Sequence, residues 1–408
     1  MRSLVHSVAR AAASATRAHR GLHCAAHATH ARTAAVAAAI GMPARLAGTT
    51  LTATRHRAQT PLNAITAHAA SFSAEAAPTH PSAPLAPTAP ITPLPLTHIE
   101  FPYLRGEPAS DEFHGLDFEH GTSVRDAPLL VLHGLLGSAM NWRTTAPKLT
   151  HRRKIISIDL RNHGGSPHSD DMRLQACAAD VIALMDSKGI AKAVLLGHSL
   201  GGKVAMAAAL LYPDRIAAVC SADMAPIRYD TASAGWSGVG SIVKACASVP
   251  IDCMHSRADV DTFLKPLIPD FTTRAFVMQN VVSTAATEGR KQRVHWRCNL
   301  QVLARALPWM AEFEIGAPLP PATGSGALQP FNGPALFVAG GRSSYLLDSH
   351  SPRLRELFPH HRMESIHDAG HWLHVEKPKE FVHIVHGWMH ALEKGKDQGE
   401  TAHGHGKY

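Results

Sequence analysis

With 408 residues, 45% hydrophobic and 18% charged, the chain is long enough for a large core and has the composition of a globular protein. No run of 18 or more uninterrupted apolar residues occurs, which argues against a membrane-spanning helix. The net charge of +8 belongs to the leader: residues 1–74 hold eight arginines and no acid, while from Phe101 onward 32 basic residues face 30 acidic ones, so the body lacks the cationic surface that nucleic-acid binding needs.

An Arg-, Ser- and Ala-rich leader without acid is the composition of an organelle transit peptide, expected here over residues 1–75. Seven prolines between Pro78 and Pro95 make residues 76–97 an extended linker that cannot form a core. The folded part is expected from about 98 to 395, followed by a solvated tail at 396–408. Five cysteines of the body, Cys177, Cys220, Cys246, Cys253 and Cys298, show no paired short spacing and read as buried thiols suited to a reducing compartment.

From His98 the pattern alternates. Short apolar runs at 128–134, 154–160, 191–197, 216–223, 334–340 and 362–368 read as buried strands. Between them, Leu174, Ala178, Val181 and Met185 fall on one helical face, and Gly189 ends that helix. The stretches "LGGKVAMAAALLYPD" and "KPKEFVHIVHGWMHALEKGK" also read as helices. Strands alternating with helices predict an α/β fold, with a mostly parallel central sheet covered on both faces. The interval from about 226 to 316 breaks the rhythm. Its stretches "RADVDTFLKPLIP" and "RVHWRCNLQVLARALPWMAEF" look helical, so a helical cap inserted before the last strands is expected, with 316–333 as the return loop.

Ser199 stands in Gly197-His198-Ser199-Leu200-Gly201, a G-x-S-x-G turn between a buried strand and a small-residue helix. Such a turn strains the backbone at the serine, and its neighbours must lack bulk so that helix and strand can pass closely. A serine hydroxyl needs a histidine to take its proton and a carboxylate to orient that histidine. His371, in the short loop after the last expected strand, is the favoured base; His367 and His374 are its rivals. Asp223, at the end of "AAVCSAD", is the favoured acid, with Asp348 second; a helix cap or an ion pair with Arg228 is the alternative use of Asp223. An oxyanion hole would come from the N–H of Leu200 and, in the turn "HGLLGS", the N–H of Leu135. That turn lacks the spacing of a P-loop or a dinucleotide site. His383, His386 and His390 share a helical face, but the glutamate of H-E-x-x-H is missing. Neither a metal nor a cofactor is expected. Trp296 and Asn299 are candidates for the pocket beneath the cap.

Taken together, "HGLLGS", "DLRNHGGSPHSDDM", "GHSLGGKVAM", "HWRCNL" and "DAGHWLH" resemble the α/β-hydrolase superfamily, and within it the branch of abhydrolase domain-containing protein 11 and small bacterial esterases. The resemblance covers residues 98–395. It implies an eight-stranded sheet with a helical cap and cofactor-free hydrolysis of a small acyl ester or thioester through an acyl-enzyme. It implies Ser199, Asp223 and His371 as the triad, and a mitochondrial rather than a chloroplast address. Some relatives carry Asp directly after the "WRxNL" stretch, where this chain has Gln301, so no role proposed for that acid applies here. The alternatives are an organelle partner-binding or regulatory protein on a hydrolase scaffold, or another activity of the same scaffold: peptidase, C–C hydrolase or acyltransferase.

Overall fold

A computed structural model describes residues 90–101, 127–150, 153–284, 292–315 and 328–394. The expected transit peptide, most of the linker, the tail and most of the return loop lie outside the described residues. The last residues of the proline-rich stretch already belong to the fold. Leu96 is buried, the Leu94 N–H donates to Asp180 Oδ1 at 2.6 Å, and the Thr97 N–H donates to Ser166 Oγ at 2.8 Å.

The elements follow one another as β1 (His98–Phe101), β2 (Leu129–Leu132), β3 (Ile155–Ile158), α1 (Leu174–Ser187), β4 (Ala193–His198), α2 (Leu200–Leu211) and β5 (Ile216–Ala222). The cap follows, with α3 (Ala234–Ala247), α4 (Arg257–Leu264), α5 (Phe271–Met278), β6 (Val281–Thr284), β7 (Arg293–Trp296) and α6 (Leu300–Ala311). The chain then returns through β8 (Ala335–Gly340), α7 (Ser351–Leu357), β9 (His361–Ile366), the single turn α8 (Leu373–Glu376) and α9 (Pro378–Glu393).

Seven strands form one sheet in the order β1-β3-β2-β4-β5-β8-β9. Every pairing is parallel except β1 with β3. The strands β2 to β5 and β8 are buried along their whole length, because a parallel sheet carries helices on both faces and leaves no polar side. Two apolar cores result, one on each face, with α1 and α2 packed into the larger and α9 into the other. Every residue of α2 is buried. A helix so central cannot be amphipathic, and "LGGKVAMAAALL" has no polar stripe to spare.

Two expectations change. Among the described residues the sheet has seven strands, not eight. The cap is not wholly helical either: β6 and β7 pair as a two-stranded antiparallel hairpin. "RVHW" therefore extends as a strand before the helix of that stretch begins at Leu300, since Val281–Thr284 supplies a partner that its own periodicity does not announce. Cys177, Cys220, Cys246 and Cys298 are buried free thiols; Cys253 is instead half-buried and disulfide-bonded.

Candidate active site

Ser199 sits between β4 and α2 with φ 53° and ψ −117°, a left-handed backbone that a non-glycine residue adopts only under constraint. The constraint is visible on either side. A Cβ on Gly197 would lie 2.0 Å from the Gly201 carbonyl oxygen, and one on Gly201 would lie 2.4 Å from the Leu132 carbonyl oxygen. Only glycines let α2 cross this close to β4 and β2, and the crossing lifts Ser199 to the carboxyl edge of the sheet.

His371 follows β9 and Asp223 follows β5. The Ser199 hydroxyl donates to His371 Nε2 at 2.9 Å, and His371 Nδ1 donates to Asp223 Oδ2 at 2.7 Å. Asp223 is fully buried; its other oxygen accepts the Gly340 N–H at 3.0 Å, and Oδ2 also accepts the Ser343 hydroxyl. "GRSSY" thus brings a hydroxyl and a main-chain donor to the acid rather than a carboxylate. Asp348 is exposed in a 3₁₀ turn, and Arg228 pairs with Glu312 at 3.0 Å instead of with Asp223. Of the rival histidines, His367 is exposed beside Asp368, and His374 is buried and stacked on Trp142 at 4.5 Å.

The Tyr345 ring stacks on His371 with centroids 4.0 Å apart, and His198 Nε2 donates to the His371 carbonyl at 2.8 Å. These contacts hold the imidazole from its face and from its main chain. Burial, then the neighbouring His374 and His371, keep His198 well below its ordinary pKa, so it serves as a neutral donor. Burial likewise brings His374 down to about 3.

The turn at Gly134–Gly137 faces the serine. Among the described residues the N–H groups of Leu135 and Leu200 have no acceptor, which leaves both free for a ligand oxygen. The turn itself is bolted down. His133 Nδ1 donates to the Gly134 carbonyl at 2.7 Å while its Nε2 accepts the Leu160 N–H at 3.0 Å. His163 Nε2 accepts the Leu136 N–H at 3.2 Å. Asn280 of the cap donates to the Leu136 carbonyl at 2.7 Å, and Asp159 Oδ1 accepts the Ala139 N–H at 2.6 Å. Both histidines must be neutral to accept, and burial holds His133 at about 4 and His163 at about 3. Residues 159–163 of "DLRNHGG" therefore buttress the turn, a part that motif spacing alone does not reveal.

Ser199 opens on a cavity of about 20 Å³, with Leu135 and Leu200 on one side and Met224, Val239 and Met310 on the others. Trp236, Tyr345 and Lys203 complete it. Trp296 and Asn299 are not in its lining: Trp296 pairs with Val281 in the cap hairpin, and Asn299 caps α6 and donates to Asn162 Oδ1 at 3.2 Å. Lys203 was not singled out by any motif. Burial pushes its pKa down to about 7, against the opposing pull of Glu312.

Residues 127–235 match the family model for the α/β hydrolase fold. The chain is 33% identical over 267 residues to the sn-1-specific diacylglycerol lipase ABHD11 of Mus musculus, covering 64% of this chain and 80% of that protein. The chain belongs to the α/β-hydrolase family. This α/β hydrolase is also 29% identical to Esterase YbfF of Escherichia coli K12, over 65% of this chain and 93% of that one. Among solved structures it is similar to a marine microorganism esterase, with 30% identity and a TM-score of 0.59 over 71% of this chain and 98% of that chain. Among the described residues no helix is long and apolar enough to cross a membrane, and no group of three or more His, Cys, Asp or Glu side chains could hold a metal.

Proposed function

We propose that this α/β hydrolase is a serine esterase that cleaves carboxylic esters or thioesters of small acyl groups through a Ser199–His371–Asp223 triad. The observation that carries the reading is the continuous hydrogen-bonded chain from the Ser199 hydroxyl through both nitrogens of His371 to a buried carboxylate. His371 Nε2 takes the serine proton as Oγ attacks the acyl carbonyl, and Asp223 stabilises the imidazolium that forms. The N–H groups of Leu135 and Leu200 receive the oxyanion. The intermediate then collapses; His371 returns its proton to the departing alkoxide or thiolate, leaving acyl-Ser199. A water deprotonated by the same nitrogen attacks the acyl-enzyme, and the carboxylic acid leaves as Ser199 regains its proton. The names of the ABHD11 and YbfF relatives support ester hydrolysis.

Replacing Ser199→Ala should lower hydrolysis of p-nitrophenyl acetate by about 10⁴-fold or more with the fold intact. It should also abolish labelling by a fluorophosphonate. Full activity in that variant would refute the mechanism, and an unlabelled parent chain would favour the partner-binding alternative. The acid-free, arginine-rich leader supports an organelle address, and the similarity to ABHD11 supports a mitochondrial one. Import of a reporter fused to residues 1–97 tests that part separately, and a reporter that stays in the cytosol would refute it.

A further inference from the structure

The one buried lysine of the cavity takes no part in the proposed mechanism. Lys203 lies one turn beyond Ser199 on α2 and is 1% exposed. Its ammonium donates to three main-chain carbonyls at the C-terminal end of α6: Met310 at 2.7 Å, Ala311 at 2.9 Å and Glu312 at 2.8 Å. A helix leaves its last carbonyls without intrahelical partners and its dipole negative at that end, so a cation is the partner it calls for. Three carbonyls occupy all three N–H groups of the ammonium. None remains for a substrate carboxylate, which separates Lys203 from an anion-binding residue.

Lys203 also faces the beginning of the cap. Its Nζ lies 4.8 Å from the ring centre of Tyr229 and 5.7 Å from that of Trp236. Those two rings stack at 6.0 Å, and the Tyr229 N–H donates to the Ala311 carbonyl at 2.9 Å. One charge on the helix of the serine therefore ties the cap's first helix to its last. Two of the residues so held, Met310 and Trp236, are walls of the cavity above Ser199.

We infer that Lys203 is a specificity-determining residue: by holding α6 and the start of α3 against α2, it keeps Met310 and Trp236 in place as walls that admit only short acyl groups. The inference rests on the esterase reading above. The cavity above Ser199 is small, about 20 Å³. A longer acyl chain enters only where a wall retreats, and both walls are anchored on the same ammonium. Retreat would strand a buried amino group without its acceptors, which is costly in a low-dielectric interior.

The test compares kcat/KM of the full chain on p-nitrophenyl acetate, butyrate and octanoate. The parent should favour acetate over octanoate by about tenfold or more, the size of discrimination a hydrophobic pocket provides. In Lys203→Met the octanoate-to-acetate ratio should rise by about tenfold. Met310→Ala, which opens the same wall and keeps the lysine, should move the ratio the same way. A parent with no chain-length preference, or an unchanged ratio in folded Lys203→Met, overturns the inference. Should Lys203→Met fail to fold, an unchanged ratio in Met310→Ala overturns it instead. A parent that hydrolyses none of the three esters and is not labelled by a fluorophosphonate sinks the esterase reading and this inference with it; one that hydrolyses acetate with a flat chain-length profile sinks this inference alone.

Discussion

Ser199, His371 and Asp223 meet through side-chain hydrogen bonds between the ends of β4, β9 and β5, whereas the cap reaches the same rim largely through main-chain carbonyls. Each of the two contacts that link these three residues needs its own side chain. Lys203 of α2 bonds to cap carbonyl oxygens that every residue type carries, while Asn280 reaches from the cap to the Leu136 carbonyl. The residues at the end of α6 can therefore change side chain without losing this contact. On the proposed reading the rim would attack the ester and the cap would select the acyl group.

Asp223→Asn breaks the rim with the largest effect after loss of the serine itself. An amide cannot accept from both His371 Nδ1 and Ser343 while its remaining oxygen stays on the Gly340 N–H. The imidazole is then pushed toward the wrong tautomer. We expect kcat to fall by about 10³–10⁴-fold, equally for acetate and octanoate esters, with little change in KM. Steady-state kinetics on both esters checks this. A drop confined to one chain length would erase the division between rim and cap.

Asn280→Ala sharpens the comparison at the point where the two regions touch. Its amide reaches from the cap to the Leu136 carbonyl, next to the free N–H of Leu135. Losing one neutral hydrogen bond is worth about 1 kcal/mol, so kcat should fall roughly fivefold on every ester. The octanoate-to-acetate ratio should stay as it was. A changed ratio would mean that the Asn280 contact to the Gly134–Gly137 turn, rather than the anchoring of α6, governs chain-length preference.

How much of this was legible in the sequence follows the same division. Buried parallel strands are continuous apolar runs, and the six central or late strands were placed within about three residues. The meeting of Ser199, His371 and Asp223 was legible because a strained serine must be flanked by glycines and because side chains that end parallel strands share one edge. "RVHW" looks helical in the sequence because its four residues have no period of their own and their partner strand, Val281–Thr284, is not adjacent to them in the chain. Lys203 was invisible for a related reason. A lysine on a helix reads as a solvated side chain, and the three carbonyls that bury it come from more than a hundred residues away. His163 was hidden in a motif recognised only by resemblance, since its work is to accept a main-chain N–H.

The smallest effect on catalysis, and a clean effect on stability, is expected from acid. His133 and His163, bonded to the Gly134–Gly137 turn, and His374 are buried, and burial brings their pKa values to about 4, 3 and 3 against an ordinary 6.5. Below pH 6.5 the unfolded chain takes up these protons while the folded chain does not, so their contribution is complete above pH 6.5 and declines as the pH falls toward 4. At pH 5 each costs up to about 2 kcal/mol, and urea unfolding at pH 7.5 and pH 5 should show a lower midpoint at the acid end. His374→Phe isolates one of the three. Its Nδ1 is buried without a partner, and its ring packs between Trp142 and Phe381, so an apolar ring fits the same slot. That variant should hold or gain stability at pH 7.5 and lose about 2 kcal/mol less than the parent on going to pH 5. An unchanged acid response would assign the loss to the other buried histidines, His133, His163 and His198.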